Sequence, residues 1–87
     1  MTLTPALVRE ARALLGISQI SLAGYIGVSE TTIGKYERGE TLKRKLDLAL
    51  VQAVLEDAGV EFIAENGAGP GVRLRKGRRA EPADNRA

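Results

Sequence analysis

Ser18 and Ser29 each open a short run that closes on a glycine, Gly27 and Gly39, and the second run carries Glu30, Thr31, Thr32, Lys35 and Arg38. A carboxylate, hydroxyls and cations gathered on one small element form an array of hydrogen-bond donors and acceptors. Such an array suits recognition of a polar surface better than turnover. Two basic clusters, Lys43-Arg44-Lys45 and Arg73, Arg75, Lys76, Arg78 and Arg79, are of the kind that contacts phosphate. Catalysis has little to work with. The chain contains no histidine and no cysteine, which removes imidazole acid–base chemistry, thiolate nucleophiles and Cys/His zinc sites together. Gly67-Ala68-Gly69-Pro70-Gly71 lacks the following helix and the Lys-Ser/Thr pair of a phosphate cradle, and reads as a hairpin loop. Neither an enzyme nor a cofactor or metal site is expected.

The elements that position these groups follow from caps and periodicity. Thr4 caps a first helix with Pro5 in its first position, where a missing amide hydrogen costs nothing. Leu7, Val8, Ala11, Leu14 and Leu15 fall on one helical stripe, and Gly16 stops the helix. Ser18 caps a second helix with Leu22, Ala23 and Ile26 inward, and Gly27 suits the left-handed turn that follows. Ser29 caps a third with Ile33 and Tyr36 inward, closed by Gly39. Two short helices joined by a glycine-bearing turn make a helix-turn-helix, whose second helix is shaped to lie in a DNA major groove.

A longer helix is expected from about Leu42 to Ala58, ended by Gly59. It has two apolar stripes: Leu42, Leu46, Ala49, Leu50, Ala53 and Val54 on one, and Leu48, Val51, Leu55 and Ala58 on the other. One packs on the preceding helices; the other needs the C-terminal segment or a second subunit, unless the helix is simply buried on most sides. After Gly59 the period changes to two, with Val60, Phe62 and Ala64 alternating, and later Val72 and Leu74. A two-stranded hairpin is predicted, with Asn66–Gly71 as its turn. An isolated hairpin is marginal in water, so Leu48, Val51, Leu55, Val60, Phe62, Val72 and Leu74 are the candidate dimerisation residues. The organisation expected is a helix-turn-helix domain over 1–59, a dimerising hairpin over 60–76 and a disordered tail over 77–87.

Eighty-seven residues, 44% hydrophobic but only 3% aromatic, allow one domain whose core is aliphatic. Residues 1–59 carry seven basic and seven acidic side chains, whereas residues 60–87 carry six and four, so the net +2 lies wholly in the tail. No apolar run approaches the roughly 18 residues of a membrane span, and no signal peptide precedes the first helix. A cytoplasmic protein is expected.

Residues from about Leu7 to Gly39 resemble the Xre-type regulators, the phage repressor and Cro family. The resemblance rests on Ser18-Gln19, Leu22-Ala23, Gly27-Val28-Ser29, Ile33, Tyr36-Glu37 and Gly39. The region from Ala58 to Lys76 is similar to the tail of many small bacterial members. The fold implied is mainly α, a four- to five-helix phage-repressor-like domain followed by the β-hairpin. By the same resemblance, Glu30, Thr31 and Lys35 read base edges: Lys35 donates to guanine, Glu30 accepts from cytosine, and Thr31 meets a base or a thymine methyl. Gln19, Ser29, Thr32, Arg38, Lys43 and Arg44 contact phosphates, Gln19 through its side-chain amide and main-chain N–H. Arg12 and Glu37 form a structural ion pair between the first helix and the end of the third.

This sequence also departs from the family pattern. Ser21 stands where a capping-box glutamate is common. Gly24 and Gly34 lie inside helices at about 1 kcal/mol each relative to alanine; Gly34 reads as tolerated rather than as a close approach to the DNA backbone. The usual proline-containing loop before the fourth helix is replaced by Glu40-Thr41-Leu42 and the basic triplet. The function implied is a homodimeric repressor, bacterial or phage, reading a short palindrome in double-stranded DNA. The competing reading is a protein-interaction module on the same fold, an antitoxin or antiactivator that grips a protein partner through its C-terminal region. The neutrality of residues 1–59 favours that alternative.

Overall fold

The Thr4 hydroxyl accepts the Leu7 amide hydrogen at 3.2 Å, Pro5 takes the first helical position, and α1 (Pro5–Leu15) begins there. The same device recurs. Ser18 accepts from the Ser21 amide at 3.0 Å to open α2 (Gln19–Ile26), and Ser29 accepts from Thr32 at 3.1 Å to open α3 (Glu30–Glu37). Asp47 accepts from Leu50 at 3.1 Å to open α4 (Leu48–Ala58). The structure, a computed structural model, describes residues 3–64 and 71–75. Its strands, β1 (Val60–Ile63) and β2 (Gly71–Leu74), form one antiparallel hairpin. Among the described residues no helix is long and apolar enough to cross a membrane.

The turn between α2 and α3 requires Gly27. Its φ of 88° lies in the left-handed region, where a Cβ is strained, and its amide and that of Val28 both donate to the Ala23 carbonyl, at 2.8 and 3.0 Å. Where a capping-box carboxylate would stand, Ser21 takes a weaker substitute: the Ser18 hydroxyl donates to its Oγ at 3.2 Å.

The core is aliphatic. Val8, Ala11, Leu22, Val51, Leu55 and Val60 are fully buried, with Leu3, Leu7, Ile33, Leu46 and Val72 nearly so. Fully burying one such large side chain contributes about 1.5–3 kcal/mol. Leu14, placed inward by its spacing, is 40% exposed at the edge of α1.

The fourth helix departs from expectation at its start. It begins at Leu48 rather than Leu42, and residues 40–47 form an irregular loop. A start at Leu42 would put three cations, Lys43, Arg44 and Lys45, in the first turn against the positive end of the helix dipole. A start after Asp47 supplies an acidic cap instead. Leu46 still reaches the core, from the loop rather than from a helical turn. Asp47→Ala is expected to cost about 1 kcal/mol of stability, read as a lower urea midpoint with unchanged m-value.

The two stripes of α4 are both partly buried, the second more deeply at its centre. Val51 and Leu55, expected to face the C-terminal segment or a second subunit and named as candidate dimerisation residues, are fully buried against α1, α2 and the C-terminal strand β1, whereas Leu50 is 40% exposed and Ala49 and Ala53 face solvent. The hairpin behaves alike. In register Val60↔Leu74, Glu61↔Arg73, Phe62↔Val72 and Ile63↔Gly71, it lays β2 against α1 and β1 against α4. Arg75 locks it there: its amide donates to the Gly59 carbonyl at 2.7 Å and its Nη2 to the Glu56 carbonyl at 2.6 Å. Val51, Leu55, Val60 and Val72 therefore offer a second subunit no surface. Of the candidate dimerisation residues, Leu48 and Phe62 are half-buried and Leu74 is exposed. The expected turn over 66–70 and the tail over 77–87 lie outside the described residues.

Candidate nucleic-acid interface

Helix α3 turns Ile33 and Glu37 inward and leaves Glu30, Thr31, Lys35 and Arg38 exposed on its outer side. Ser29 is exposed at its cap, and half-buried Thr32 lies with its hydroxyl 3.1 Å from that of Ser29. The loop after α3 exposes Lys43, Arg44 and Lys45 beside this row. Between them runs a groove of about 520 Å³, lined by Thr31, Thr32 and Lys35 from α3 and by Leu42 to Asp47 from the loop. A smaller recess of about 200 Å³ lies across α3, bounded by Gln19, Glu30, Thr31, Gly34 and Arg38. Hydroxyls and cations thus share one solvent-facing surface, with the loop cations at its margin.

What holds α3 in place lies behind it. Glu37 is 3% exposed, and both its carboxylate oxygens are taken: Arg12 Nε donates to Oε2 at 2.7 Å and Nη2 to Oε1 at 2.8 Å. Gln19 Nε2 donates to the same Oε1 at 3.1 Å, Arg12 Nη1 donates to the Ile17 carbonyl at 3.1 Å, and Arg9 donates to the Glu37 carbonyl. Three segments, α1, the start of α2 and the end of α3, meet on one carboxylate. Burial pushes the Glu37 carboxyl up, but the hydrogen bonds from Arg12 and Gln19 and the charges of Arg12 and Arg9 outweigh it and hold it below its ordinary 4.5. Arg12 is held more firmly protonated, chiefly by its hydrogen bond to Glu37.

The sign of the pH dependence follows. A carboxyl with a lowered folded-state pKa contributes stability above its unfolded value and loses it as pH falls through the folded one. Stability is therefore expected to drop as pH falls below about 4.5. In Glu37→Gln that acid limb should flatten, as read by circular dichroism melts between neutral pH and about pH 3.

Two expected site residues stand differently. The Gln19 amide is turned inward to Glu37 rather than outward to a phosphate, so only its main-chain N–H, in the first turn of α2, keeps the expected direction. Arg38 is exposed but not free: its Nε donates to Glu40 Oε2 at 2.6 Å, and that hydrogen bond lowers the Glu40 carboxyl's pKa. The partnership was missed from sequence, although Glu40 stands only two residues beyond Arg38. Tyr36, expected inward, is half-buried, and its hydroxyl has no partner among the described residues.

Residues 8–62 match the family model described as helix-turn-helix. Among solved structures, the chain is similar to the solution NMR structure of the DNA-binding domain of the P22 C2 repressor. The two are 31% identical with a TM-score of 0.54, over 63% of this chain and 72% of that one. No curated protein matches the chain.

Proposed function

Because the chain belongs to the helix-turn-helix family, in its Xre, phage-repressor-like branch, we propose that it is a DNA-binding transcription regulator whose α3 enters the major groove. One observation carries the reading: the exposed row Glu30, Thr31, Lys35 and Arg38 sits on a helix whose opposite side is fixed by the buried Glu37. A rigid helix with a polar outer row is what base reading needs. Glu30, Thr31 and Lys35 read base edges. Ser29, Thr32, Lys43 and Arg44 contact phosphates, assisted by the main-chain N–H of Gln19.

The chain acts as a homodimeric repressor on a short palindrome, its two α3 helices about 34 Å apart in successive major grooves. Leu74, Phe62 and Leu48 keep the apolar surface that such a dimer would use. Phosphate contacts supply most of the affinity and make it salt-dependent, so Lys43→Ala should lower the log–log salt slope by about 0.9 without changing sequence preference. Besides the neutral charge of residues 1–59, one structural feature favours a protein partner. An apolar groove of about 570 Å³ between Leu15, Ile17, Tyr25, Ala53 and Val54 lies away from α3, with Tyr25 66% exposed on its rim.

The test is selection of duplexes from a random pool at roughly 0.15 M salt, with Lys35→Ala beside the wild type. An enriched inverted repeat that relaxes in the variant supports the reading. Enrichment of nothing contradicts it and moves the weight to a protein partner.

A further inference from the structure

Gly34 stands in the middle of the outer row of α3, one turn after Glu30 and one turn before Arg38. A glycine inside a helix costs about 1 kcal/mol relative to alanine, and this one is buried although it faces outward. What covers it is Arg38. A Cβ at position 34 would lie 3.2 Å from Arg38 Nη1 and 4.0 Å from its Cζ, and 3.6 Å from Gln19 Oε1. The guanidinium therefore folds back over the bare backbone of α3, into the recess shared with Gln19, Glu30 and Thr31. Gly24, the other glycine inside a helix, meets nothing within 4 Å. Of these two helical glycines, Gly34 alone admits a neighbour.

From this geometry we infer that Arg38 is a base-reading residue, seated among the base-edge readers by the missing side chain at Gly34 and aimed by Glu40, and that it selects guanine. The inference rests on the DNA-binding reading above and replaces the phosphate role expected for Arg38. Glu40 takes the Nε hydrogen at 2.6 Å, which fixes the guanidinium plane and leaves its terminal nitrogens as a fork. That fork matches guanine O6 and N7 in the major groove. Glu40 also cancels the charge of Arg38. A neutralised pair has little to offer a phosphate, whose attraction is coulombic, but it can still donate to the uncharged acceptors of a base edge.

The experiment is duplex selection followed by competition titrations, with wild type, Arg38→Lys, Arg38→Ala and Gly34→Val run in parallel. Arg38 is exposed and its replacement leaves the core intact, so these variants stay informative even if Gly34→Val folds poorly. The wild type should enrich a guanine in each half-site that all three variants lose. Discrimination at that position should fall roughly tenfold or more in Arg38→Lys, which keeps the charge but not the fork. In Arg38→Lys the salt slope should stay unchanged. An Arg38→Ala variant that binds every sequence more weakly by one factor, with the wild-type guanine preference kept, would overturn the inference. So would enriched sites identical in all four proteins. Either result leaves the wider DNA-binding reading standing, whereas a wild type that enriches no sequence removes both.

Discussion

Glu37→Ala is expected to lower the stability of the chain by about 3–5 kcal/mol. Small domains hold only roughly 5–15 kcal/mol in total, so this one carboxylate accounts for a large share. The loss has three parts: Arg12 keeps a charge only 18% exposed and loses two hydrogen bonds, and Gln19 loses its acceptor. Replacing both partners with apolar residues should cost less than either single change, because neither charge is then stranded. Urea unfolding of the two single variants and the double variant checks this. A loss under about 1 kcal/mol would put the pair among exposed ion pairs and remove the anchor that fixes α3.

Leu55→Ala is the second large effect, expected at about 2–5 kcal/mol because a fully buried leucine leaves a cavity its surroundings refill only in part. The way the loss depends on concentration matters as much as its size. Leu55 lies in the core of a single chain, so the penalty should be the same across a hundredfold range of protein concentration. If Leu55 instead faced a second subunit, the variant would fold normally and lose self-association. Thermal melts at several concentrations, beside sedimentation, separate the two.

Sequence alone reached the fold where its signals are local. Thr4, Ser18 and Ser29 each cap a helix through an amide three residues on, and Gly27 makes the turn between α2 and α3. All of these can be read within a few residues. Period-two alternation likewise found both strands. The start of α4 was misread because Leu42 and Leu46 keep helical spacing while Asp47, a local cap, overrides it. Which of its stripes lies deeper is not legible in the sequence because α4 is apolar around most of its circumference, and only packing against α1, α2 and β1 decides it. Leu3 was overlooked because nothing in its own sequence neighbourhood marks a residue before the first cap as core.

Within the candidate site, the outer row of α3 follows from its cap and period. The direction of Gln19 and the fold-back of Arg38 do not, because each depends on a side chain or gap brought close by tertiary structure or a following turn. The Arg12–Glu37 pairing came from family resemblance rather than from spacing. The geometry adds why it matters: one buried carboxylate ties α1 and α2 to the base of α3.

The central claim is that the outer face of α3, with the basic loop beside it, is the surface that meets DNA. Mapping backbone amide shifts of isotopically labelled protein as an enriched duplex is added tests that claim most directly. The account predicts the largest changes over Ser29–Arg38 and Lys43–Lys45 with Gln19, and small ones across α4 and the hairpin. Changes centred on Tyr25, Ala53 and Val54, or on β1 and β2, with α3 unmoved, would contradict it.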